Sequence, residues 1–136
     1  MKKNICLILV LIILQGCSAY SLKDALNDNA VIEGAGGPVN VELLDQFMES
    51  IAANKKSELR IVFFGDEGDA IISDASFNNG KISYKRANQT ASCENIRIEN
   101  KPIDGTSKQY ILTSCDRVIG MQGPEDKEIV LYRLFK

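Results

Sequence analysis

Three regimes of hydrophobic patterning follow one another along the chain. From Ile5 to Leu14 the apolar positions are continuous, broken by nothing more polar than Cys6. From Val41 to Ile51 they recur every three or four residues: Val41, Leu44, Phe47, Met48 and Ile51 share one stripe, while Glu42, Asp45, Gln46 and Glu49 face away. That is the period of an amphipathic helix, expected over about residues 40–54. Asn40 suits its N-cap, because the side-chain oxygen can accept a bond from an unpaired amide. Glu42 and Asp45 sit where the helix dipole favours negative charge, and Lys55 and Lys56 where it favours positive charge.

Beyond Leu59 the period shortens to two. Leu59–Phe64 and Ala70–Phe77 read as strands joined by the turn Gly65-Asp66-Glu67-Gly68-Asp69. Asn79-Gly80 supplies the positive φ angles of a tight hairpin, and Lys81–Arg86 alternates with Ile82 and Tyr84 on one face. These segments predict a three-stranded meander under the helix. Ala87–Ser92 reads as a polar connection. Cys93–Glu99 and Gln109–Cys115 then form a hairpin about Asp104, which sets Ile98 opposite Tyr110, Ile96 opposite Leu112 and Cys93 opposite Cys115. A last strand covers Glu128–Phe135 after a turn at Gly123–Asp126. The expected fold class is α+β: one amphipathic helix packed on a mainly antiparallel sheet of about six strands, with one disulfide.

The first regime is an address. Lys2 and Lys3 precede the apolar run, which is far shorter than the ~20 residues a spanning helix needs, so it reads as a secretory signal. Its end, Leu14-Gln15-Gly16-Cys17, resembles the lipobox of bacterial lipoproteins, with Gln15 in place of the usual small residue. The resemblance implies cleavage before Cys17 and its modification with diacylglycerol carrying palmitate-type chains. Each buried methylene of such chains contributes ~0.8 kcal/mol, so two or more give stable attachment. The expected division is a signal peptide over 1–16, a lipidated N-terminus and flexible tether over 17–39, and a single α+β domain over 40–136. A weak helical turn near Leu22–Leu26 is compatible with the tether. The cluster Gly34-Ala35-Gly36-Gly37-Pro38 lacks the Lys-Ser/Thr ending of a phosphate loop and reads as linker.

Composition narrows the chemistry. Losing Lys2 and Lys3 takes the formal charge from −2 to −4, which gives no electrostatic footprint for nucleic acid. Of the four cysteines, Cys6 leaves with the signal and Cys17 carries lipid, so Cys93 and Cys115 remain to pair outside the cytoplasm. The bridge closes a loop of about 23 residues and is expected to stabilise the domain by about 3 kcal/mol. The chain has no histidine, which removes Ser-His-Asp and Cys-His catalysis and histidine-ligated zinc. Asp66, Glu67 and Asp69, with Asp74 beyond them, are weak candidates for a calcium site or a paired-carboxylate hydrolase. Their spacing is not that of an EF-hand, and a solvated hairpin turn is the simpler reading. No cofactor is expected.

The ordered set of Leu44-Asp45-Gln46-Phe47-Met48-Glu49, Lys55-Lys56, Leu59-Arg60-Ile61-Val62, Glu67-Gly68-Asp69, Ile72-Ser73-Asp74, Gly80-Lys81-Ile82, Cys93 and Tyr110–Cys115 resembles a family of small bacterial lipoproteins. That family is the domain of unknown function numbered forty-three sixty-two in its series. The resemblance covers about residues 38–115 and implies a fold and a location, the outer face of a cell membrane, but no substrate and no catalytic residue. The functional expectation is a lipid-anchored, extracytoplasmic, non-enzymatic binding or interaction module, held to the membrane through its lipid and meeting an envelope protein. The alternatives are an inhibitor or immunity-type protein that blocks a secreted enzyme through a sheet edge or the 100–108 loop, and a metal-binding hydrolase on the acidic turn.

Overall fold

The structure, a computed structural model, describes residues 19–100, 105–116 and 127–135. The signal segment, Cys17, the Gly123–Asp126 turn and the tip of the 100–108 loop lie outside them. In chain order the elements are α1 (Leu22–Asn27), β1 (Val31–Glu33), α2 (Glu42–Ala52), β2 (Ser57–Phe64), β3 (Ala70–Asn78), β4 (Lys81–Arg86), β5 (Gln89–Cys93), β6 (Asn95–Asn100), β7 (Thr106–Thr113) and β8 (Ile129–Phe135). The α+β class is as expected, but the single sheet of about six strands is corrected. The described strands number eight, in a five-stranded sheet ordered β1-β2-β3-β4-β5 and a three-stranded sheet ordered β6-β7-β8. All neighbours are antiparallel except β1 and β2, whose parallel register aligns Val31 with Ile61 and Glu33 with Phe63. Parallel strands need a crossover, and α2 is that crossover.

The expectation of a flexible tether is corrected from Tyr20 onward. Ser21 and Asp24 form a reciprocal capping box that starts α1, and Ala25, Ala30, Val31 and Ile32 are buried. The glycine cluster is a turn rather than a linker: the Gly37 amide donates to the Gly34 carbonyl, and Ile32 and Val39 exchange two bonds of 3.0 and 2.9 Å. Three residues of strand are too short to print a period on the sequence, so β1 could not be seen there.

Alternation gives the large sheet two different faces. On one, Val31, Leu59, Ile61, Ala75, Phe77, Ile82, Tyr84 and Cys93 join Leu44 and Phe47 of α2 and Tyr110, Leu112, Leu131 and Tyr132 of the smaller sheet in one core. On the other, Ile32 and Val62 pack with Ala25 and Ala30 in a second, smaller cluster beneath α1. The apolar stripe read for α2 is thus a core face. Its N-cap is Val41 without a side-chain bond, not Asn40. Asn40 sits at φ 58° and its Nδ2 donates to the Ala30 carbonyl at 2.9 Å, so the amide serves a longer-range tie.

The expected hairpin register between Cys93 and Cys115 is present: Ile98 faces Tyr110 and Ile96 faces Leu112. Cys93 and Cys115 are bonded, with Cα atoms 3.9 Å apart. What the hairpin reading lacked is that Cys93 ends β5 in the large sheet. The chain turns at Glu94, whose amide donates to the Thr113 carbonyl, and continues as β6 in the small one.

Candidate functional site

α1 covers only the β1–β2 end of the outer face of the large sheet, so that face is open over β3, β4 and β5. The register there lines side chains into two rows. Arg60, Asp74, Lys85 and Thr90 are successive partners from β2 to β5, and so are Glu58, Ser76, Ser83 and Ser92. Hydroxyls therefore occupy three neighbouring strands at one level, with charges at the next. A depression of about 550 Å³ lies over them, lined by Ser76, Ser83, Lys85, Thr90, Ser92 and Asp116 among others. Asp116 is brought to the rim because its amide donates to the Ser92 carbonyl at 2.9 Å. A second depression of about 480 Å³ adjoins it around Asp28, Glu58, Arg60 and Asp74.

Asp74 lines both depressions and is held by Arg60 of the second. Arg60 Nε and Nη2 donate to the Asp74 carboxylate at 2.7 and 3.2 Å, and its Nη1 donates to Asp28 Oδ2 at 2.7 Å. The Tyr20 hydroxyl donates to the same Asp28 oxygen at 2.7 Å. The forked guanidinium matches a carboxylate with two parallel bonds, which a lysine could not do. Hydrogen bonds from Tyr20 and then Arg60 hold the Asp28 carboxyl below the usual range, and Asp74 and then Asp28 hold the Arg60 guanidinium above its own. The result is a fixed charged wall beside a floor of hydroxyls. Such a surface can donate to and accept from a polar ligand at several points at once.

The acidic turn closes on itself through backbone bonds. The Gly65 amide donates to the Asp69 carbonyl at 2.9 Å and the Gly68 amide to the Gly65 carbonyl at 2.9 Å, a closed hairpin loop. A Cβ at position 65 would meet Asp69 Oδ1 at 2.7 Å, a contact that the exposed end of that side chain relieves by turning away. Asp66, Glu67 and Asp69 are exposed, and among the described residues no group of three or more acidic or cysteine side chains could hold a metal ion. Asp74, which the sequence reading grouped with that turn, belongs instead to the Arg60 wall.

Sequence reasoning missed this surface because it took Ala87–Ser92 for a connection. The signal was present: Thr90 and Ser92 alternate with Ala91 and Cys93, which are buried. What hid it was the turn, Ala87-Asn88, which lacks the usual hairpin chemistry.

The profile of a family described as Domain of unknown function (DUF4362) matches residues 28–110, more than half of the chain. The chain belongs to this family. No curated protein and no solved structure matches it. The DUF4362 region opens at Asp28 and spans β1 through most of β7, so it contains the whole large sheet, Arg60, Asp74 and the serine row. It leaves out α1 and β8.

Proposed function

We propose that this protein is a lipid-anchored, extracytoplasmic binding module whose contact surface is the open outer face of β3, β4 and β5. The anchor half of the reading is supported by the Leu14–Cys17 resemblance. No helix among the described residues is long and apolar enough to cross a membrane. The observation that carries the binding half is the serine row Ser76, Ser83 and Ser92 beside the Arg60–Asp74 pair. A solvent-facing strand surface needs polar side chains, but it does not need them small. Short hydroxyls leave a depression between the charged side chains, and a ligand rather than water can occupy it. The work assigned is non-covalent binding of a polar partner in the cell envelope.

The test has two arms. Cys17→Ala is expected to release the protein from membranes and abolish acyl labelling, and unchanged fractionation would overturn the anchor. For the surface, Ser83→Arg projects into the depression from an exposed position without touching the core. It is expected to abolish crosslinking to envelope components while leaving the folded state intact by circular dichroism. Crosslinking products that survive both Ser83→Arg and Ser76→Arg would rule this face out. Survival there combined with loss in a Gly-Ser replacement of residues 100–108 would favour an inhibitor acting through that loop.

A further inference from the structure

We infer that Leu22 and Leu26 form a membrane-contact face that seats the domain directly on the bilayer entered by the Cys17 lipid. This rests on the lipoprotein reading above and adds to it an orientation. The two leucines stand four residues apart, hence on one side of α1, and are 54% and 50% exposed. Ala25, between them in sequence, is fully buried against Ile32 and Val62, so the helix is packed by one side and presents leucine from another. A six-residue helix would not hold such a face by itself. Here it is held by the Ser21–Asp24 capping box at its start and, at its end, by Asp28, which accepts from both Tyr20 and Arg60.

Chain length selects the bilayer as the occupant. Only three residue steps separate Cys17 from Tyr20, which is fastened to Asp28, so the lipidated residue lies within roughly 10 Å of the folded body at full extension. Leu22 is five steps away, within roughly 17 Å. A domain leashed that closely cannot turn an arbitrary face to the membrane, and the apolar face nearest the leash is this one. Interfacial helices bury such side chains about 5–10 Å into the headgroup boundary, a depth the leash accommodates. Lys23 stands beside the leucines, where its ammonium can meet lipid phosphate. Asp24 is turned back onto Ser21, accepting from its amide and hydroxyl at 2.8 and 2.6 Å. With α1 on the membrane side, the Phe63 and Ile71 pair projects from the opposite face of the large sheet.

The absence of tryptophan from the chain makes the test direct. Leu26→Trp and Phe63→Trp each install a single reporter in the full, acylated protein, reconstituted in phosphatidylethanolamine–phosphatidylglycerol vesicles with brominated acyl chains. The Leu26→Trp emission is expected to shift to the blue and lose most of its intensity, and the Phe63→Trp emission to do neither. Leu22→Trp repeats the measurement, should the first variant fail to form the disulfide. A Leu26→Trp reporter that is unquenched by bromolipid overturns the inference. If it is also shielded from acrylamide, a protein partner or a second copy covers the face instead. Equal quenching of both reporters overturns it too, since it shows no preferred orientation. Intact mass of the same sample separates the two readings: without acyl chains the anchor itself fails, whereas acylated but unquenched protein fails only the orientation.

Discussion

Ala87 is held where alanine is a poor choice. Among the described residues six other than glycine have positive φ, and four of them are asparagines, whose side chains tolerate the left-handed region. Ala87, at φ 51°, has no such compensation. It opens the two-residue loop between Arg86 and Gln89, so the hairpin that carries β5 rests on a residue that resists its own turn. The left-handed conformation costs an L-residue about 1–2 kcal/mol, and glycine's greater freedom in the unfolded chain takes back about 0.4–1 kcal/mol. Ala87→Gly is therefore expected to raise stability by about 0.5–1 kcal/mol, read as a higher urea midpoint at unchanged slope. A lower midpoint would show that the turn is not as described. Asn40 teaches the converse. Its identity suggested a helix cap, but positive φ and a bond to Ala30 are equally natural uses of asparagine, and only the position of β1 decides between them.

At the scale of elements, α2 is fastened to the smaller sheet by a polar clasp. Asp45 accepts from Lys108 Nζ at 2.9 and 3.3 Å and from the Tyr110 hydroxyl at 2.8 Å, and Lys108 lies 4.9 Å from the Tyr110 ring centroid. Nearby, the Tyr132 hydroxyl donates to Glu33 and ties β8 to β1. The Lys108 ammonium, and then the Tyr110 hydroxyl, hold the Asp45 carboxyl below its ordinary range, while burial pushes the Tyr110 hydroxyl up. Because the folded-state pKa of Asp45 is lowered, its contribution is fully present above the unfolded value of about 4 and is lost as pH falls below that. Asp45→Asn is thus expected to lower stability at neutral pH and to flatten the fall in stability below about pH 4. Half of the Asp45 side chain meets solvent, so the effect is screened and small. Urea midpoints measured from neutral to acid pH check it, and parallel curves for the two proteins would remove the clasp from the acid response.

For the whole molecule the disulfide acts at the corner where the chain passes from one sheet to the other. Cys93 closes β5, Cys115 follows β7, and Asp116 returns to bond Ser92, so bridge and backbone together fix the two sheets at Glu94. Replacing both cysteines by alanine is expected to cost about 3 kcal/mol on the chain-entropy account of a loop of this length. That is a large share of a stability that for such a domain is of order 5–15 kcal/mol. Denaturation of the double variant measures it, and a loss below about 1 kcal/mol would mean that sheet packing alone sets the corner. The open outer face depends on that corner, since β5 supplies Ser92 and Asp116 is drawn to the rim from beyond the bridge.

Much of this was legible because the interactions are local or periodic. The stripe of α2, the alternation of β3 and β4, the Asn79-Gly80 turn and the register of the β6–β7 hairpin each follow from a few neighbouring residues. From them came the family resemblance, the bridge and the α+β class. Tertiary structure alone decided the rest. Whether strands form one sheet or two depends on where the chain bends, and Glu94 carries no sequence mark of a bend. A three-residue strand such as β1 becomes visible only through the partner it pairs with. Arg60 reaches Asp28 across 32 residues, a contact no period encodes. The hydroxyl row exists only when three strands lie side by side in one register. A sequence displays periods along the chain, whereas a binding surface is assembled across it.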